Sequence, residues 1–250
     1  MIKKVIFNKI QFLNFSSENF KKIIRNKGTF FFPAAPALAT IDESEAYYKS
    51  LKNANHVFLD SGFFVLLLKL FKNINVKKFS GFKFIKLFLS HVKKNEKNNI
   101  FLIDPNRKIS HSYKKYLNKF GIKKVHSYIA PIYPSKDIVD DKLVDQINKT
   151  KPRFILINLG GVKQEILGNY LNNKLKNKYP IICTGAALSF LTRDQAPINT
   201  FFDEVYLGWL IRIIFNPKIF LRRYFLSLKL LVIFIKYFDT IKKKINYLIN

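Results

Sequence analysis

The chain has a single cysteine, Cys183, among its 250 residues, so a disulfide within the chain is excluded. Cys183 lies in the apolar run Tyr179–Thr184, which predicts a buried strand residue. None of the four histidines forms a motif with this cysteine, so the sequence gives no support for a catalytic thiol. Metal-type spacing of histidine and cysteine is also missing, and we predict no metal site.

Long apolar runs are missing as well. In the C-terminal part the uninterrupted apolar stretch is Leu230–Ile235, far short of the roughly 20 residues that cross a bilayer. The N-terminal segment Met1–Lys9 carries charge but lacks the apolar core and small-residue cleavage site of a signal peptide. We therefore expect a cytoplasmic protein without a transmembrane helix.

Acidic residues are scarce: 16 Asp and Glu face 44 Lys and Arg, for a net charge of +28. This excess predicts attraction to nucleic acid, anionic lipid or a phosphorylated ligand, and charge alone does not choose among them. Many charge runs are simply solvated faces. The length suits one sizeable domain plus a short appendage.

Short apolar runs alternate with longer amphipathic segments, which indicates βα units in a Rossmann-like α/β fold with a mostly parallel sheet and flanking helices. The predicted strands are Thr29–Phe32, His56–Leu59, Ile100–Ile103, Lys124–Tyr128, Phe154–Asn158 and Ile181–Thr184. The predicted helices are Ser44–Asn53, Phe64–Phe71, Phe82–Lys94, Ser110–Phe120, Lys136–Lys149 and Lys163–Asn177. Ligands of such sheets bind beyond the carboxyl ends of the strands, where Asp60, Asp104 and the segment 158–165 fall.

Gly160 and Gly161 stand between a predicted strand and a predicted helix. Glycine lets the backbone approach a ligand closely, and the free N–H groups of a helix start attract anions such as a diphosphate. An ordinary strand-to-helix turn has the same pattern. A nucleotide site at this turn is therefore a hypothesis that needs support from elsewhere in the chain.

Residues 208–250 form a basic and apolar segment with nine Lys and Arg and one acid, Asp239. Arg222, Lys229 and Lys236 are seven residues apart, which predicts a basic stripe on a helix whose other faces, from Tyr224 to Phe238, are mostly apolar. An interfacial membrane helix has this pattern, and so does a helix packed on the core with its lysines reaching solvent. We divide the chain into an α/β domain, 1–207, and a membrane-docking appendage, 208–250.

Several landmarks occur in order over roughly residues 29 to 226. They are Leu59–Gly62, Lys78–Gly81, Ile100–Ile103, Gly160–Glu165, Thr184–Leu191, Gln195–Pro197, and Gly208–Leu210 through Asn216-Pro217 to Arg222–Tyr224. Together they resemble the WecG/TagA/CpsF glycosyltransferase family. The resemblance implies an inverting enzyme at the inner face of the cell membrane that builds surface polysaccharide. Such an enzyme transfers a sugar from a UDP-sugar, typically of the N-acetylmannosamine type, to N-acetylglucosamine on a polyprenyl diphosphate.

The resemblance also implies roles for individual residues. Asp60 matches the family's catalytic aspartate, which is proposed to deprotonate the acceptor hydroxyl. The residues that match the nucleotide-sugar site are Gly160, Gly161, Lys163, Gln164, Glu165 and Gly185. The cations that suit a lipid diphosphate are Lys78, Arg212, Arg222 and Arg223. The resembled enzymes do not rely on a metal and can self-associate, and this chain has no Asp-x-Asp motif.

The chain departs from the family at several positions. Phe32–Ala37 stands where the family commonly has a Thr-x-Asn segment, so the hydroxyl and amide of that segment are missing. Lys83 replaces an aspartate, Leu188–Phe190 replaces Phe-Asp-Phe, and Gln195 replaces an arginine. These departures imply a divergent branch of the family.

Parts of the sequence suggest two other classes of protein. Lysines and aromatics interleave in Tyr113–Tyr116, as a non-enzymatic nucleic-acid-binding protein would require, but no RNA- or DNA-binding module accompanies them. A Rossmann-type dehydrogenase would need the Gly-x-Gly-x-x-Gly fingerprint, which is missing. We therefore expect a UDP-sugar and a polyprenyl-linked acceptor as partners, and no nucleic acid.

Overall fold

The computed structural model describes residues 3–93, 99–134, 136–196, 200–204, 206 and 208–245. Lys94 of a predicted helix and Pro197 of a sequence landmark lie outside the described residues. The strands are β1 (Lys3–Phe7), β2 (Ile10–Asn14), β3 (Gly28–Phe31), β4 (His56–Phe58), β5 (Ile100–Asp104), β6 (Val125–Ile129), β7 (Phe154–Ile157), β8 (Pro180–Cys183) and β9 (Lys242–Ile245).

Helices connect and flank these strands. They are α1 (Phe20–Ile23), α2 (Ala35–Leu38), α3 (Glu45–Lys52), α4 (Gly62–Lys72), α5 (Gly81–Lys93), α6 (Arg107–Lys119), α7 (Asp141–Thr150), α8 (Lys163–Lys174), α9 (Ala187–Thr192), α10 (Thr200–Glu204), α11 (Gly208–Phe215), α12 (Pro217–Leu226) and α13 (Lys229–Lys236).

The described strands form one sheet in the order β6-β5-β7-β8-β3-β4-β2-β1-β9. All neighbours from β6 to β2 pair in parallel, and only β1 is antiparallel to its neighbours β2 and β9. The predicted α/β fold with a mostly parallel sheet and flanking helices is confirmed. The six predicted strands are present, and each bound lies within one residue of its prediction.

The sheet is buried on both faces, as the continuous apolar runs require. In β7, for example, Phe154 and Leu156 belong to one core cluster while Ile155 and Ile157 belong to the other. Successive strand residues point to opposite faces, so the four residues serve both layers of helices. This double burial makes the sheet a rigid support for the turns at its carboxyl edge.

The sequence prediction omits β1, β2 and β9. β1 and β2 form a hairpin in which Asn8 and Lys9 have positive φ angles of 46° and 63°. A two-residue turn with both central residues at positive φ matches the right-handed twist of the strands. The sequence signal for this hairpin is Asn8, which was overlooked. It stands between two short runs in which buried and less buried residues alternate, and Val5 and Phe7 of the first run lie in the core.

The helix predicted over Lys136–Lys149 begins five residues later, at Asp141. The preceding Asp140 accepts the Leu143 N–H at 2.9 Å, so it is the N-cap. The Asp140 carboxylate also accepts hydrogen bonds from the Tyr128 and Tyr133 hydroxyls, which fixes the segment before the helix.

The continuous C-terminal helix predicted through Tyr224 and Phe238 is wrong. α12 ends at Leu226 and α13 begins at Lys229, so Arg222 lies on a different helix from Lys229 and Lys236. α13 packs on the core: Leu230, Ile233 and Phe234 are buried, while its two lysines pair with Glu43 and Asp42 at 3.0 and 2.7 Å. β9 then pairs with β1. Within the described ranges, every helix is too short or too polar to span a bilayer.

Candidate active site

A cavity of about 350 Å³ opens at the carboxyl ends of β3, β4 and β8. Five segments line it: the turn at Ala34–Pro36, the start of α4 with Asp60, the segment from Lys78 to Phe82, the region between Thr184 and Phe190, and parts of residues 203–228. Cavities beyond the carboxyl ends of parallel strands are the usual ligand sites of such sheets. Of the residues expected at this edge, Asp60 lines the cavity, whereas Asp104 and the segment 158–165 do not belong to its described lining.

Asp60 directly follows Leu59 after β4 and lines the cavity. Its Oδ1 accepts the Gly81 N–H at 2.8 Å. A Cβ atom at Gly81 would lie 3.2 Å from both Thr184 Cβ and the Thr184 carbonyl oxygen, so a larger residue there would push against the backbone of the turn after β8. The next residue, Ser61, accepts the Phe64 N–H at 3.1 Å and caps α4. These contacts fix the position of the Asp60 carboxylate.

Burial raises the pKa of Asp60 above the ordinary value for a carboxyl group. The positive charge of Lys78 and the Gly81 N–H oppose this rise, Asp203 adds to it, and Arg212 also opposes it. A carboxylate with a raised pKa is a stronger base than an exposed one. Asp60 is therefore suited to accept a proton from a substrate in the cavity.

Lys78 forms a largely buried ion pair with Asp203 of α10. The Lys78 Nζ lies 2.6 Å from Asp203 Oδ1 and also donates to the Asp203 carbonyl oxygen at 2.7 Å. The Ser80 hydroxyl donates to the other carboxylate oxygen of Asp203. No local pattern predicts the contact between Lys78 and Asp203, because 125 residues separate them. Ser80 belongs to the landmark Lys78–Gly81, but its bond to Asp203 was not predicted.

Arg212 of α11 is the second cation of the cavity. Its guanidinium carbon lies 4.6 Å from the centre of the Phe190 ring, and its Nη1 donates to the Tyr224 hydroxyl at 3.3 Å. The buried Nε of Arg212 has no hydrogen-bond partner among the described residues. The aromatic contacts hold the guanidinium in place while one donor stays unused.

The four cations predicted for a lipid diphosphate separate into two pairs. Lys78 and Arg212 line the cavity together with Asp60. Arg222 and Arg223 lie on α12, are exposed, and do not belong to the described lining. The Arg223 guanidinium lies 5.8 Å from the Phe220 ring.

The glycine turn after β7 lies next to α2. Gly160 and Gly161 are exposed, and a Cβ atom at Gly161 would lie 3.1 Å from Ala37 Cβ in α2. Ala35 of the same helix lines the cavity. Lys163, half-buried, begins α8. The turn and the cavity therefore share the carboxyl edge of the sheet, with α2 in contact with both.

Gln164 and Glu165 are buried, unlike the glycines before them. Glu165 accepts the Val162 N–H at 2.7 Å and the Gln164 side-chain N–H at 2.8 Å, and Gln164 Oε1 accepts the Gly185 N–H at 2.9 Å. Burial raises the pKa of Glu165 to about 7 despite these hydrogen bonds. The two side chains thus join the turn after β7 to the turn after β8 and position both.

The match to known families covers residues 4–245, nearly the whole chain, and its description is glycosyl transferase of the WecG/TagA/CpsF family. The chain belongs to the WecG/TagA/CpsF glycosyltransferase family. It is therefore a transferase of cell-surface polysaccharide biosynthesis that uses a sugar-nucleotide donor and a lipid-linked acceptor. No curated protein matches the chain.

Membership of the WecG/TagA/CpsF family gives the cavity a chemical context. Glycosyl transfer needs a base for the acceptor hydroxyl and positive charge for the departing nucleotide. The cavity holds a fixed carboxylate, Asp60, and two cations, Lys78 and Arg212. The combination is the one that transfer chemistry requires.

Proposed function

We propose that this transferase is an inverting enzyme that moves a sugar of the N-acetylmannosamine type from a UDP-sugar to a polyprenyl-diphosphate-linked N-acetylglucosamine. In this proposal Asp60 is the catalytic base. The observation that carries it is the geometry of Asp60: one carboxylate oxygen is held by the Gly81 N–H, and the side chain lines a cavity with Lys78 and Arg212.

The reaction is a single displacement. Asp60 takes the proton of the acceptor hydroxyl while that oxygen attacks the anomeric carbon from the face opposite the UDP group. The bond from the anomeric carbon to the diphosphate breaks, and UDP leaves with the electron pair, so the configuration inverts. The raised pKa of Asp60 favours the proton transfer.

The leaving diphosphate gains negative charge as the bond breaks, and positive charge nearby stabilises it. The resemblance matched Lys78 and Arg212 to the lipid diphosphate, but both line the cavity with Asp60, and we assign them to the leaving diphosphate instead. Gly160 and Gly161 supply an exposed turn at the start of α8, with Lys163 beside it, and such helix starts bind phosphate groups. We assign the nucleotide part of the donor to this turn and to Gly185, with Gln164 and Glu165 positioning the backbone.

Exposed apolar side chains in the lining of the cavity favour a lipid-linked acceptor. Leu66, Trp209 and Leu228 line the cavity and remain 41%, 45% and 54% exposed. Further exposed apolar side chains are Leu70 and Phe71 on α4, Ile214 on α11 and Phe225 on α12. Large exposed apolar patches beside basic residues are typical of membrane contact. We propose that this surface and Arg222 rest on the inner face of the cell membrane.

The proposal is tested by measuring UDP release from a panel of UDP-sugars in the presence of a short-chain polyprenyl-diphosphate-linked N-acetylglucosamine. We expect release that depends on the acceptor with at least one donor, and a product whose anomeric configuration is opposite to that of the donor. A product that retains the donor configuration would exclude the single displacement. Acceptor-dependent release only after addition of Mn²⁺ or Mg²⁺ would contradict the predicted independence of metal.

A further inference from the structure

A second depression lies at the opposite edge of the sheet, at the amino ends of β3, β8 and β7. It has a volume of about 430 Å³ and is lined by the segments that lead into these three strands, together with Ile24 and His91. We name it the amino-edge depression. Since each of the three strands has four residues, about 13 Å of strand separates this depression from the carboxyl edge.

Five cations surround the amino-edge depression, and all of them are exposed: Arg25, Lys27, Lys151, Arg153 and Lys178. The described lining contains no carboxylate. None of the five forms an ion pair within the described part of the chain. The concentrated positive charge therefore lacks a counter-charge from the protein and favours an anion from solution.

Tyr179 also belongs to the lining, and its backbone is fixed because the Tyr179 carbonyl accepts the Gly28 N–H at 2.8 Å. Its side chain is buried in the core cluster that contains Ile181, so the cations of the depression are its ligand-facing groups.

We propose that the amino-edge depression binds a small phosphate-bearing anion, either a mononucleotide or an inorganic diphosphate. Arg25 and Arg153 face it from two sides, and the forked guanidinium group pairs with two phosphate oxygens at once. The volume of the depression suits a ligand of that size. This site is separate from the cavity that contains Asp60.

The test is a titration of inorganic diphosphate, and separately of AMP and adenosine, into four forms of the full chain by calorimetry. The forms are the wild type, Lys78→Ala, Arg25→Ala with Arg153→Ala, and Lys108→Ala with Lys115→Ala. Lys78→Ala weakens any binding in the Asp60 cavity and leaves the amino-edge depression intact. The last pair removes the same charge from exposed positions of α6 and is the matched control.

We expect the wild type, Lys78→Ala and the control pair to bind an anion with similar affinity. The double variant Arg25→Ala with Arg153→Ala loses two charge-assisted contacts, so its affinity for the anion should fall roughly tenfold or more. If AMP binds no more tightly than inorganic diphosphate, the ligand is the inorganic anion. If AMP binds more tightly than inorganic diphosphate, the ligand is the mononucleotide. Adenosine binds no form measurably, because the phosphate carries the interaction.

Equal anion binding by the wild type and the arginine pair would overturn the proposal. So would an equal loss in the control pair, or tight binding of an RNA oligonucleotide without binding of diphosphate or AMP, which would indicate a broad polyanion surface.

Discussion

The Nζ of Lys78 lies 2.6 Å from Oδ1 of Asp203 in the cavity that contains Asp60. Both side chains are largely buried, at 11% and 13% exposure, so solvent screens the pair little. Asp203 also engages the Ser80 hydroxyl. The Asp203 carboxylate thus pairs with the cation that we assign to a substrate diphosphate. The diphosphate must displace this carboxylate or share Lys78 with it.

Substitution Asp203→Asn tests this competition. The amide removes the negative charge, so we expect UDP to bind several-fold more tightly. Because Asp203 raises the pKa of Asp60, its neutralisation lowers that pKa. Asp60 must be ionised to act as a base, so the acid limb of the kcat/KM profile moves to lower pH. Titration of UDP and a pH–rate profile measure the two effects.

Glu204→Gln is the matched control for Asp203→Asn. Glu204 is the next residue of α10, is 59% exposed, and lies 3.9 Å from Lys83 instead of Lys78. The Glu204→Gln substitution should leave the affinity for UDP and the pH–rate profile as they are in the wild type. Identical behaviour of the two variants would show that the pair between Lys78 and Asp203 has no bearing on the substrate.

Arg212 and Arg222 should differ in their effects, because only Arg212 lines the cavity. We expect Arg212→Ala to lower kcat/KM more than tenfold with a short-chain acceptor in solution, since it removes charge near the leaving group. Arg222→Ala should matter only when the acceptor is presented in anionic vesicles. Steady-state kinetics with the acceptor in solution and with the acceptor in vesicles measure both variants. An equal loss of kcat/KM for Arg212→Ala and Arg222→Ala in solution would contradict the assignment.

Glu165 should make the stability of the protein depend on pH. Its pKa is about 7 in the folded chain against 4.5 without burial, so the folded state binds more protons between these values. Its contribution to stability is fully present below pH 4.5 and is lost as pH rises through 7. Glu165→Gln cannot ionise, and it should therefore gain about 2–3 kcal/mol over the wild type on going from pH 4.5 to pH 8.

Denaturant unfolding at a series of pH values measures this difference. Glu18→Gln removes an exposed carboxylate and serves as the control, with a pH dependence that follows the wild type. If Glu165→Gln and the wild type respond equally to pH, Glu165 ionises in the folded chain as an exposed carboxyl group would.

The apolar surface of α12 is tested with Phe225→Glu. Phe225 is 73% exposed, so the change should cost little stability while weakening the binding to anionic vesicles. Ile132→Glu, at a residue that is 96% exposed after β6, is the control and should bind vesicles as the wild type does. Vesicle flotation measures both variants. Equal flotation of Phe225→Glu and the wild type would contradict the proposed membrane surface.

These point variants are preferable to removal of residues 208–250. α13 buries Leu230 and Phe234 in the core, and β9 pairs with β1, so truncation would disturb the α/β domain as well as any membrane contact. A loss of lipid binding in the truncated chain could therefore arise from unfolding. The single substitutions at exposed positions avoid this ambiguity.

The sheet was predictable because its strands are buried on both faces and stand out as apolar runs, such as Phe154–Ile157. The position of Asp60 followed from the same pattern, since a polar residue after such a strand must lie at the carboxyl edge. The break between α12 and α13 was not predictable, because apolar residues continue through Leu228. There the buried Ser227 hydroxyl donates to the Arg223 carbonyl at 3.0 Å.

Two features of the site depend on tertiary contacts that no local pattern reveals. Asp203 reaches Lys78 only because α10 folds back over the start of α5. Gln164 and Glu165 are polar and follow a glycine turn, which suggested direct contact with a ligand, yet both are buried and bond to the protein. Their role in positioning the turns becomes visible only when β7 and β8 are seen side by side.

The most direct test of the account is the turnover of Asp60→Asn. Asparagine keeps the shape of the side chain but cannot accept the proton, so we predict that acceptor-dependent UDP release falls by about 10²–10⁴-fold. UDP affinity and the melting temperature should stay close to those of the wild type. Turnover equal to that of the wild type, in a variant that is folded and binds UDP, would show that Asp60 is not the base.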